Sequence, residues 1–150
     1  MERVVFYNVV QHDLSKMVCR IVEKYFLAKE GNIFLHCGNQ AAQDAINDQL
    51  WTFSKKAFIP HDINTCSEAQ EYPILLGLDY RTPNDAQICI HMLDQDYPPN
   101  VDELERFRIC AVVFSDLVEE QRMMARRLYK YYNASKPVKY FEYHDEWVAK

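Results

Sequence analysis

Between Arg122 and Lys139 the chain carries six basic residues (Arg122, Arg126, Arg127, Lys130, Lys136, Lys139) and no acid. On a helix turning 100° per residue, Arg122, Arg126, Tyr129, Lys130 and Asn133 fall on one side. Leu117, Met124, Leu128 and Tyr131 fall on the other, which is expected to pack inward. A planar guanidinium fork suits a carboxylate, and a tyrosine ring beside it walls an apolar slot. That chemistry fits an acidic peptide with an aromatic end, with a phosphate backbone as second choice. The plainer alternative is a solvated helix end whose cations complement the macrodipole.

Two other groups of residues have chemical potential. Leu50-Trp51-Thr52-Phe53 and Ala57-Phe58-Ile59-Pro60-His61 place bulky aromatics in close succession. They either close a core or stand out as interface anchors, a role for which Trp and Phe are favoured. Cys37, beside His36, is a candidate nucleophile for a small thiol-dependent enzyme, with His12, His61 or His91 as base. The competing reading makes Cys37 and Cys89 small core residues, because free cysteine is commonly buried. His61, next to Pro60, reads as a structural or interface residue.

These residues require elements to hold them. Val4 to Val10 is a β-branched run fit for a buried strand. Asp13 is a candidate N-cap for a helix carrying Met17, Val18, Ile21, Val22 and Tyr25, with Gly31 expected to stop it as a C′ residue. Asn32 to Cys37 reads as a strand, and Gly38-Asn39 turns the chain into a helix ending near Leu50. Ala57–Pro60, Ile74–Leu78, Gln87–Leu93 and Arg108–Phe114 are further strand candidates, and Val101–Phe107 a short helix. A long helix is expected from Asp116 to Asn133, then a last strand over Pro137–Tyr143 with Val138, Tyr140 and Glu142 on one face. The alternation predicts a three-layer α/β sandwich around a mostly parallel sheet, Rossmann-like, in one domain over residues 1–150.

Such folds often bind nucleotides, but three glycines (Gly31, Gly38, Gly77) cannot make G-x-G-x-x-G or a P-loop. No cofactor is expected. Five cysteines, each more than seventeen residues from the next, give no C-x-x-C and no metal spacing. With 150 residues, 49% hydrophobic and 26% charged, a core needs no disulfide staples, and disordered or membrane-spanning classes are excluded. The odd cysteine count and the absence of a signal-like start point to a soluble, intracellular (cytoplasmic) protein. A net charge of −5 argues against general nucleic-acid binding. Outside the basic segment, 11 basic residues face 22 acidic ones, so the cationic patch sits on an acidic body and suggests one anionic partner.

Val5-Phe6-Tyr7, the Cys37 turn, Phe58-Ile59-Pro60-His61 and Met124-Ala125-Arg126-Arg127-Leu128-Tyr129-Lys130-Tyr131-Tyr132 occur in an order and spacing that resembles the chi subunit of bacterial DNA polymerase III. The likeness runs over nearly the whole chain and is poor from Ser67 to Asp102. It implies a Rossmann-like fold without nucleotide chemistry and a non-catalytic clamp-loader accessory role in DNA replication. It also implies a link, through the psi subunit, to the acidic C-terminal tail of single-stranded DNA-binding protein. On this resemblance Arg122, Arg126, Tyr129 and Lys130 face that tail, with Arg122 where lysine is usual. Trp51, Phe53, Phe58 and Pro60 face psi, or a competing helicase. Contact with DNA would be indirect, and no membrane is involved.

Overall fold

The computed structural model describes residues 1–10, 13–52, 58–93, 99–144 and 146–150. Its strands are β1 (Arg3–Asn8), β2 (Ile33–His36), β3 (His61–Ile63), β4 (Ile74–Gly77), β5 (Ile88–Met92), β6 (Ile109–Phe114), β7 (Val138–Tyr143) and β8 (Trp147–Ala149). The helices are α1 (Leu14–Ala28), α2 (Gln40–Thr52), α3 (Val101–Leu104) and α4 (Glu119–Asn133). The strands form one sheet in the order β3-β4-β2-β5-β6-β1-β7-β8. Every pairing is parallel except β7 with β8.

Central strands made of Val, Ile, Leu and Phe are apolar toward both faces, as a sheet covered on both sides demands. Val5, Tyr7, Ile33, Leu35, Ile90 and Val113 pack with α1 and α2 residues such as Ile21, Val22 and Ile46. Val4, Phe6, Phe34, Cys89 and Val112 pack on the other side with Leu104, Ala125, Leu128 and Tyr132 of α3 and α4. This is the expected three-layer α/β sandwich.

Local side-chain caps open two of the helices. The Asp13 carboxylate accepts from the Lys16 N–H at 3.3 Å and opens α1. The Asn39 side chain accepts from the Ala42 N–H at 2.9 Å at the start of α2. The end of α1 differs from expectation: Lys29, at φ 54°, takes the left-handed position, and its N–H donates to the Phe26 carbonyl. Gly31 follows two residues later. The strand expected over Ala57–Pro60 instead begins at His61, because Pro60 has no N–H for a ladder; Ala57 lies outside the described residues. The short strand β8, with no strong alternation of its own, is held by pairing with β7.

Candidate functional site

Ala125, Leu128 and Tyr132 dock α4 on the sheet. Their spacing of three and four residues defines the buried line, and the adjoining line carries Arg122, Arg126, Tyr129 and Lys130. These four border a pocket of about 630 Å³, completed by Phe114, Asp116, Ala125, Tyr140 and Lys150. It opens beside the carboxyl end of β6, the side of a parallel sheet where α/β folds place ligands. Tyr129 leans on Phe6 (ring centroids 5.5 Å apart) and stands edge-on to Tyr140 at 6.3 Å, which in turn meets Phe114 at 6.3 Å. The walls are therefore aromatic and the rim cationic.

Among the described residues, no carboxylate pairs with Arg122, Arg126 or Lys130. Arg122 Nε and Asp116 Oδ1 are both buried without a hydrogen-bond partner among the described residues. Lys150 Nζ lies 3.7 Å from the Glu142 carboxylate. Chemically, this is a concave, net-positive surface with apolar walls and unspent donors.

The inward face of α4 needs two corrections. Tyr131 is 55% exposed and Leu117 is 65% exposed, whereas Tyr132 and Ala125 are buried. Leu117 precedes the first helical residue, Glu119, so helical phase does not govern it. Tyr131 and Tyr132 flank the Leu128 direction on opposite sides, and the docking angle of α4 turns Tyr132 to the sheet. Met124 packs against the core as expected.

At the β3 edge of the sheet, Trp51 and Phe58 are 50% and 72% exposed, with ring centroids 5.8 Å apart. They do not close the core. Trp51 is backed by the His61 ring, whose centroid lies 4.1 Å away. His61 is fully buried, and its two nitrogens face the carbonyls of Ile59 at 2.7 Å and Asn47 at 3.0 Å. His61 is thus a structural residue that braces the end of α2. Pro60 is half-buried beside them. Phe53 lies outside the described residues.

Cys37 is fully buried, its thiol directed to the Leu35 carbonyl at 3.8 Å, and burial pushes it up to about 12. A neutral, enclosed thiol is not a nucleophile at neutral pH, so this alternative lacks its central residue. His36 stacks between Tyr80 (4.4 Å) and His91 (4.8 Å), and burial lowers its pKa. His91 is fully buried with neither nitrogen partnered among the described residues. His12 lies outside the described residues. No group of three metal-ligating side chains occurs among those described, and none of their helices is long and apolar enough to cross a membrane.

Sequence reasoning missed Phe114, Asp116, Tyr140 and Lys150 as pocket residues. The alternation in β7 does put Tyr140 on the α4 side, which was the available signal.

The chain matches the family model described as "DNA polymerase III chi subunit, HolC" over residues 1–137. It is 31% identical over 139 residues to the DNA polymerase III subunit chi of Pseudomonas aeruginosa, covering 88% of this chain and 89% of that protein. It is 22% identical over 133 residues to the probable DNA polymerase III subunit chi of Rickettsia prowazekii, covering 87% and 80% respectively. The chain belongs to the DNA polymerase III chi subunit family, a family of replication accessory subunits.

Proposed function

We propose that the protein is a non-catalytic adaptor that links the clamp loader, through a psi-like subunit, to the acidic C-terminal tail of single-stranded DNA-binding protein. The observation that carries this reading is the α4 pocket. Arg122, Arg126 and Lys130, without carboxylate partners among the described residues, rim a slot walled by Tyr129, Tyr140 and Phe114. An acidic peptide supplies carboxylates for the rim, and a terminal phenylalanine fills the slot. Trp51 and Phe58 form the second surface, for the clamp-loader-side partner. Five strand steps separate β3 from β1 in the sheet, roughly 24 Å, a separation that supports two independent surfaces.

Affinity for such a linear peptide is expected in the micromolar range, roughly −8 kcal/mol. Calorimetric titration of a peptide ending in acidic residues, proline and phenylalanine tests the reading with the wild type, Arg126→Ala and Arg126→Lys. The alanine variant loses about tenfold or more, since one charge-assisted hydrogen bond contributes about 1.5–3 kcal/mol. Lysine recovers part, being a point charge without the planar fork. An unchanged affinity in Arg126→Ala, with an unchanged melting temperature, overturns the site.

A further inference from the structure

A second, smaller pocket of about 180 Å³ lies across the sheet from α4, between α1 and the strands β1 and β7. Arg3, Lys24 and Lys139 contribute three cations to its lining, and Glu30 contributes one carboxylate. Glu30 is held by Arg3 at 3.0 Å. Among the described residues, Lys24 and Lys139 meet no carboxylate.

The Lys24 ammonium is nevertheless well fixed. It donates to the Tyr7 hydroxyl at 3.3 Å and lies 5.3 Å, 5.4 Å and 5.9 Å from the ring centroids of Tyr7, Phe141 and Tyr25. A hydroxyl contact and nearby rings orient the cation without neutralising it. Burial, then Lys139 and Arg3, push the Lys24 pKa below its ordinary value. A bound anion would reverse that pressure.

The two tyrosines add a neutral donor. Tyr7 and Tyr25 are buried, and their hydroxyls share one hydrogen bond of 2.8 Å. Lys24 uses a lone pair on Tyr7. Among the described residues, neither hydroxyl meets a further acceptor, so one of the two O–H hydrogens remains for a ligand oxygen.

We infer that this pocket binds a compact phosphoryl oxyanion, held by Lys24, Lys139 and Arg3 and by the spare hydroxyl of the Tyr7–Tyr25 pair. Two positive charges in excess of the carboxylate suit an oxyanion of one or two negative charges, and the volume accommodates a phosphoryl-sized group but not a folded peptide. Free phosphate or pyrophosphate and the phosphodiester of a single strand share this chemistry. The site is separate from the α4 pocket and does not depend on what that pocket binds.

Residue-resolved NMR titration at one low salt concentration tests it, with inorganic phosphate, pyrophosphate and a short oligothymidylate as probes. The amides of Lys24, Tyr25 and Lys139 should shift along one saturable curve, weakened tenfold or more in Lys24→Gln and severalfold in Tyr25→Phe. Saturation by phosphate or pyrophosphate alone identifies a free ion as the source; saturation by oligothymidylate alone identifies the strand. Tyr25→Phe keeps the ring and the fold, so it remains informative should Lys24→Gln disturb α1. No saturable shift at these amides with any probe, or curves unchanged in both variants, overturns the inference.

Discussion

The side-chain amide of Asn8 donates to the Tyr140 hydroxyl at 3.2 Å. Its carbonyl oxygen accepts from the backbone N–H groups of Val10 at 3.0 Å and Asp116 at 3.2 Å. A single buried carboxamide thus ties the end of β1 to a wall of the α4 pocket and to the loop that leads into α4. Val10 is held there at φ 55°, a conformation unfavourable for a β-branched residue, and its carbonyl accepts from the Ser115 hydroxyl at 2.8 Å. The pocket is therefore braced from beneath.

Asn8→Ala strands the Val10 and Asp116 amides and is expected to cost about 1–3 kcal/mol of stability. Tyr140→Phe removes only the hydroxyl contact and should cost about 0.5–1.5 kcal/mol. Urea unfolding of the two variants checks the order. Equal stabilities would mean that the loop amides do not rely on Asn8.

Acid should destabilise the fold through His91. Burial, then the neighbouring His36, lower its pKa from 6.5 to about 3. Between these values the unfolded chain binds the proton and the folded chain does not. Stability therefore rises with pH across that window and falls on acidification, by up to about 1.4 kcal/mol per pH unit for this residue. His91→Leu removes the titration, so its urea midpoint should change less between pH 5 and pH 7 (roughly the upper part of the window) than that of the wild type. An identical dependence would show that other groups dominate.

The layers of the fold were legible because apolar runs such as Ile109–Phe114 and the Met17–Tyr25 stripe are long and periodic. Boundaries were less so. Lys29 took the left-handed position expected of Gly31, because helix termination follows where carbonyls find partners rather than where glycine stands. The basic line of α4 was readable from periodicity alone. Its choice between Tyr131 and Tyr132 was not, since docking angle is a tertiary property. Tyr140 and Lys150 reach the pocket from a strand and a C-terminal residue remote in sequence, and no local pattern joins them to Arg126.

The helix register makes a direct stability prediction. Leu128→Ala should cost about 2–5 kcal/mol as a core truncation, whereas Tyr131→Ala, which loses an edge contact to Tyr132 and a long hydrogen bond to Glu105, should cost about 1 kcal/mol. Thermal unfolding of both distinguishes this docking from one in which Tyr131 faces the sheet, which would make the costs comparable.

The Trp51–Phe58 surface should act independently of the α4 pocket. Phe58→Ala is expected to leave stability within about 0.5 kcal/mol, since the ring is largely exposed. It should leave acidic-peptide affinity within about twofold, because distant sites are usually additive. Its effect should fall on a clamp-loader-side partner in a pull-down. Loss of peptide binding would join the two surfaces into one site.

The central claim is that the α4 pocket recognises a chain end through its carboxylate. Calorimetry with the same acidic, phenylalanine-terminated peptide, once with a free C-terminus and once amidated, tests this most directly. The account predicts micromolar binding of the free peptide and a loss of tenfold or more on amidation, the range of one charge-assisted hydrogen bond. Equal affinity of the two peptides would contradict it.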